Sequence, residues 1–158
     1  MLNFNHSGLL VPDALIKSTL HELENEFVDK IQTEKRKELF DNYVKYSNDL
    51  KEVFNLKELQ QWINGSYVTQ KRNPGDIDLV TFIDYDVIKR LGDTVNKFIF
   101  PASESIYGVD AYIIEVYPQD HKDYFKYRAD YAHWYEIFTR TRRIRGNKLA
   151  KGFLEIFI

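Results

Sequence analysis

Cysteine is absent from all 158 residues. Disulfides and thiolate metal centres are therefore excluded, and the chain suits a reducing cytoplasm. Long apolar runs are missing too. None approaches the length that spans a bilayer, and the first residues lack the basic-then-apolar order of a signal peptide. A cytoplasmic protein with no membrane partner is expected. There is no internal repeat and no low-complexity tract. His6, His21 and His121 have no partner at zinc spacing, so they take no role. Excess charge of one sign is also lacking: the net charge is −2, and bulk charge selects no partner.

What is present is a globular composition. Apolar residues make up 44% and aromatics 15%, with 11 Tyr and 11 Phe. This is enough to bury a core within one domain over residues 1–158. Charge is uneven along the chain. Residues 1–60 carry eight Lys/Arg against eleven Asp/Glu. From Arg140 to Lys151 there are six basic residues and no acid. A basic segment folded against acidic groups would bring opposite signs together around a polyphosphate.

Periodicity gives a coarse layout. Residues 1–12 read as an extended lead-in, and Pro12-Asp13 opens a turn or short helix. Helices are expected over 18–27 and 34–53. In the second, Leu39, Phe40, Tyr43, Val44, Tyr46, Leu50 and Val53 recur near helical spacing. Lys35, Arg36, Lys37, Glu38, Asp41 and Lys45 fill the other face in this reading. Strands are expected over 58–63, 76–83, 109–117 and 152–158, with a short helix at 86–92, a strand or a helix end at 96–100, and a helix over 124–138. His133 and Trp134 inside that last helix read as packing residues. Helices before and between strands, with few hairpin signals, predict a mixed α/β sheet.

The chemistry concentrates in one stretch. Gly65 and Ser66 close a turn after a short strand, and after nine intervening residues comes Asp76-Ile77-Asp78. On a strand, positions i and i+2 share a face, so Asp76 and Asp78 project side by side. Such a pair is costly unless a cation lies between the carboxylates. Paired carboxylates are what Mg²⁺ takes when it also holds a substrate's phosphates. A small-residue turn with free N–H groups is a cradle for those phosphates. The plainer alternative makes Asp76 a turn residue after Asn73-Pro74-Gly75 and Asp78 the exposed half of a strand. Ile77 and Leu79 flank Asp78 in a run that otherwise reads as core, which favours a partnered carboxylate. A third acid, Asp110, opens the apolar run Ala111-Tyr112-Ile113-Ile114.

Gly65-Ser66, a loop of this length, Asp76-x-Asp78 and a later strand carboxylate at Asp110 together resemble the signature of the DNA polymerase β-like nucleotidyltransferase superfamily. The layout is also similar to stand-alone bacterial and phage proteins of that fold, through Gly8-Leu9-Leu10-Val11-Pro12, Gly65 to Thr69 and Lys151-Gly152-Phe153-Leu154. The resemblance implies a nucleotidyltransferase fold, a mixed sheet with helices on one side. It implies that Asp76, Asp78 and Asp110 are catalytic and hold Mg²⁺ (or Mn²⁺). Gly65 would admit a phosphate closely, and Ser66 would donate to it. The reaction implied is transfer of a nucleoside monophosphate from an NTP to a hydroxyl of RNA, such as tRNA, or of protein. The alternative is a non-catalytic binding protein of the same fold, one component of a toxin–antitoxin or phage-defence system with a partner protein. All three acidic positions are filled, which favours the enzyme.

Basic residues near the motif leave two readings open. Lys71 and Arg72, in the loop between the motif halves, either meet nucleotide phosphates or are solvated loop charges. Arg140, Arg142, Arg143 and Arg145 either contact phosphate or a nucleic-acid backbone, or form a solvated face.

Overall fold

The structure, a computed structural model, describes residues 1–142 and 146–158. The lead-in forms a small antiparallel pair, β1 (Asn3–Phe4) with β2 (Leu10–Val11). No helix follows Pro12-Asp13; the chain extends into β3 (Leu15–Lys17). Thr19 caps α1 (Leu20–Glu24), its hydroxyl accepting from the Glu22 N–H at 3.1 Å. A π-helical turn, Asn25–Asp29, continues it. Thr33 caps α2 (Glu34–Phe54) in the same way, and Asn55 ends it in the left-handed conformation. Then follow β4 (Gln60–Asn64), β5 (Asp78–Asp84), α3 (Tyr85–Leu91), a 3₁₀ segment (Gly92–Phe98) and α4 (Ala102–Tyr107). Last come β6 (Asp110–Val116), α5 (Tyr124–Phe138) and β7 (Phe153–Phe157).

Five strands make one mixed sheet in the order β3-β7-β4-β5-β6. β4 runs antiparallel to both neighbours, β5 and β7. β5 pairs in parallel with β6, and β3 in parallel with β7. The α/β class with a mixed sheet is thus as the sequence predicts. Strand alternation divides the side chains between two cores. Ile63, Leu79, Ile83, Ala111 and Ile156 point to one face, under α1 to α4. Trp62, Val80, Phe82, Ile114 and Phe153 point to the other, where α5 covers them. The helices are therefore not confined to one side. The physical reason is the aromatic stripe of α5: Tyr131 and Tyr135 pack on Trp62 at centroid distances of 4.8 and 6.0 Å, and Phe138 packs on Phe153 at 5.6 Å.

A buried polar knot sets α2 on the sheet. Tyr43 and Ser47 donate to Gln61 Oε1 at 2.8 and 3.1 Å, and Gln61 Nε2 donates to Thr81 Oγ1 at 3.0 Å. The polar side chains of Tyr43, Ser47, Gln61 and Thr81 thereby partner one another, which offsets the cost of burying them.

Arg36 departs from the expected exposed face. It lies at the head of the stripe formed by Leu39, Phe40 and Tyr43, and it is fully buried. Its guanidinium donates to the carbonyls of Phe27, Tyr67, Thr69 and Lys71. The rings of Phe27 and Tyr67 flank it at 5.6 and 5.3 Å. One side chain thus ties α2 to the π-turn and to the loop after β4. Replacing it by Met keeps the stem and strands four carbonyls. Arg36→Met is expected to lower unfolding free energy by at least about 3 kcal/mol in urea titration. A loss below about 1 kcal/mol would show that the carbonyls find other donors.

Candidate functional site

The parallel register of β5 on β6 places Asp78 directly opposite Asp110. Both side chains share the α5 face, since they alternate with Leu79 and Ala111 on the other face. Asp76 stands just before β5, and the Asp110 N–H donates to the Ile77 carbonyl at 3.1 Å, which stitches the two strand starts together. The three carboxylates converge. One nitrogen, Arg142 Nη2, lies 3.3 Å from Asp76 Oδ2, 3.7 Å from Asp78 Oδ1 and 4.0 Å from Asp110 Oδ2.

The turn after β4 closes beside them. Gly65 adopts φ +82°, and a Cβ there would stand 2.8 Å from Asp78 Oδ2. Glycine is thus required both by the backbone conformation and by the carboxylate against it. The Ser66 hydroxyl accepts from the Gly75 N–H at 3.2 Å, closing the loop onto the first acidic residue. Its own proton remains available to a ligand. Lys71 and Arg72 are exposed, and among the described residues no ion pair joins them to the carboxylates. Their carbonyls instead accept from Arg36 and from Thr33 Oγ1, the latter at 3.2 Å.

Of the two described C-terminal arginines, Arg142 is placed at the site and Arg140 is not. Arg140 is exposed and bridges Ala150. Arg143 and Arg145 lie outside the described residues. The chain after α5 doubles back, with Thr141 N–H donating to Leu149 at 2.8 Å and Lys151 N–H to Thr139 at 2.9 Å.

That return delivers Lys151, which the sequence reading left in the basic run without a role of its own. Lys151 is buried, and its Nζ donates to the Gly65 carbonyl at 3.0 Å. Burial pushes its pKa down to about 8, against an opposing pull from Asp78 and Asp76. The available signal was a single cation immediately before Gly152 and a strand that is apolar except for Glu155. Gly152 itself has no room for a Cβ, which would collide with the Pro12 carbonyl. That close contact holds the lead-in against β7 and sets where Lys151 falls.

Electrostatically the cluster is costly. Burial, and then the charges of Asp76 and Asp110, push the Asp78 carboxyl up to about 7, while Arg142 acts in the opposite direction. Two buried oxygens next to it lack any hydrogen-bond partner among the described residues, Asp110 Oδ1 and Asn64 Oδ1. Asn64 is the cross-strand neighbour of Asp78 and is itself buried. Unpartnered buried oxygens are rare and point to a missing donor or cation. Among the described residues no group of three or more His, Asp or Glu donors is already arranged around an ion position. The all-oxygen donor set, the unpartnered oxygens and the glycine cradle nevertheless fit a hard divalent cation such as Mg²⁺ or Mn²⁺. A cavity of 220 Å³ opens beside Asp76 and Asp110, between Lys35 and Asn42 of α2 and Gly108 after α4.

Asp78 makes the apo-protein pH-sensitive. An unfolded aspartate titrates near 3.8, whereas the folded one titrates at about 7. Between those values the folded state holds a proton that the unfolded state has lost, so stability falls as pH rises from about 4 to about 7 and then levels off. Asp78→Asn removes this contribution. Metal-free Asp78→Asn protein is expected to be more stable than wild type at pH 8 and to show a flatter stability profile from pH 4 to 7 in denaturant titrations. Superimposable profiles would show that Asp78 is ionised without strain.

No curated protein and no solved structure gives a significant match to the chain. A family model covers residues 2–157, nearly the whole length, and the chain thereby belongs to the family described as "Family of unknown function (DUF6932)".

Proposed function

We propose that this protein is a divalent-metal-dependent nucleotidyltransferase of the DNA polymerase β-like kind. The observation that carries the proposal is the convergence of Asp76, Asp78 and Asp110 within 4.0 Å of one point, on the two strand starts beside the Gly65-Ser66 turn. An alternating acidic pair on an exposed strand would not bring in a third carboxylate from a neighbouring strand. Nor would it leave buried oxygens without partners.

In this reading Asp76, Asp78 and Asp110 hold Mg²⁺, which neutralises phosphate charge and lowers the pKa of an attacking hydroxyl. The Gly65-Ser66 turn receives the triphosphate, with Ser66 Oγ donating to it. Lys151 fixes the carbonyl side of that turn and adds positive charge behind the carboxylates. The acceptor oxygen attacks the α-phosphorus in line. A new O–P bond forms, the bond from the α-phosphorus to the bridging oxygen breaks, and pyrophosphate leaves with the electron pair. The Asp110 carboxylate receives the hydroxyl proton. The acceptor is a hydroxyl on RNA or on protein. If the acceptor is RNA, the exposed Arg140 is available to contact its backbone. Among the described residues no helix is long and apolar enough to cross a membrane.

The test is incubation with each α-³²P-labelled NTP, Mg²⁺ or Mn²⁺, and total RNA or total protein. The expected result is covalent label in one acceptor class from at least one NTP. The double substitution Asp76→Asn with Asp78→Asn should reduce it by at least about 100-fold, as befits loss of the metal ligands. Absence of label with every NTP and both acceptor pools would favour the alternative, a protein that keeps the fold to bind a partner.

A further inference from the structure

The chain contains two arginines held in opposite ways, and the contrast assigns a role to the second. Arg36 is fully buried and makes hydrogen bonds to four carbonyls, among them Thr69 at 2.6 Å. It is fixed. The Arg142 side chain is 78% exposed, and all its ionic contacts are with carboxylates. None is shorter than 3.3 Å, and a single nitrogen serves all three. Among the described residues Arg142 makes no hydrogen bond to these carboxylates, so the attraction is coulombic and reversible. The backbone that carries it is anchored. Thr141 is bonded to Leu149 through both its N–H and its hydroxyl, at 2.8 and 2.9 Å. A firm base with a loosely held, exposed guanidinium allows the head to leave the carboxylates while its root stays in place.

Resting on the nucleotidyltransferase reading, we propose that Arg142 is a tethered counter-ion that a divalent cation displaces. With no metal bound, the guanidinium neutralises Asp76, Asp78 and Asp110. A divalent cation brings twice the charge and satisfies the oxygens that a guanidinium leaves unpartnered, Asp110 Oδ1 and Asn64 Oδ1 among them. The planar fork of donors is then released a few ångströms from the cation, where the phosphates of an NTP arrive. A guanidinium suits phosphate oxygens better than three separate carboxylates, because it can bond two of them at once. Arg142 thereby opposes binding of bare metal and favours binding of metal together with nucleotide. The site would load the pair in preference to the ion alone.

The two halves of the proposal have opposite signs in one experiment. Mn²⁺ binding is followed by the EPR signal of the free ion for wild type, Arg142→Ala and the Asp76→Asn, Asp78→Asn double variant. Each is measured alone and with an α,β-methylene NTP analogue. Removing Arg142 should tighten binding of Mn²⁺ alone by about tenfold, as expected for loss of a competing unit charge. It should weaken binding of the Mn²⁺–analogue pair several-fold. Unchanged or weaker binding of bare Mn²⁺ by Arg142→Ala, with wild type still binding through its aspartates, would overturn the inference and leave the metal site standing. Binding that the double aspartate variant retains in full, or no binding by any variant, would overturn the metal site and the inference together.

Discussion

Three like charges held around one point govern this fold. The register that sets Asp78 opposite Asp110 cannot relax by rotating these two side chains away, because the strands fix which face each occupies; Asp76 stands two residues upstream of β5. Repulsion and burial together raise Asp78 to about 7. The surrounding architecture supplies compensation from distant parts of the chain. Lys151 arrives from the approach to β7, Arg142 from the segment after α5, and the loop closed by Ser66 brings Asp76 into range. A fold that only needed a stable core would have an apolar residue at such a strand start.

Support for this constraint is built on the opposite face of the sheet. Arg36 grips the loop from Tyr67 to Lys71, so the turn at Gly65-Ser66 is rigid on its downstream side. Lys151 holds its carbonyl from below. The Gln61 knot fixes β4 and β5 under α2, and so fixes the upstream side. The role proposed for this turn, receiving a phosphate, requires it to be held to within fractions of an ångström, and both of its ends are tied to buried groups. Arg142 is the exception, exposed and weakly held amid rigid partners, which is the state expected of a group that moves during binding.

Much of this was legible in the chain, because the informative signals are local. Gly65-Ser66, the alternation at Asp76 and Asp78, and the β-branched and aromatic run after Asp110 each need only a few neighbours to interpret. The helical period of α2 and the strand character of β5, β6 and β7 follow from side-chain periodicity. What escaped depends on long-range pairing. Arg36 sits at helical spacing from Leu39, Phe40 and Tyr43, yet a charged residue on an apolar stripe is ordinarily assigned to water. Its burial depends on four carbonyls contributed by two other segments. Lys151 looks like one more base in a basic run until the hairpin-like return after α5 is known. The placement of α5 on the second face was hidden because its aromatic residues fit either face, and sheet order decides which is uncovered.

The central claim is that Asp76, Asp78 and Asp110 jointly hold a divalent cation with a nucleotide's phosphates. It is tested most directly by a crystal structure with Mn²⁺ and an α,β-methylene NTP analogue, read by anomalous scattering. The account predicts a manganese peak ligated by oxygens of the three aspartates, triphosphate density against Gly65 and Ser66, and the Arg142 guanidinium withdrawn from the carboxylates. Manganese bound elsewhere, or nucleotide density away from this cluster with Arg142 still on the three aspartates, would contradict it.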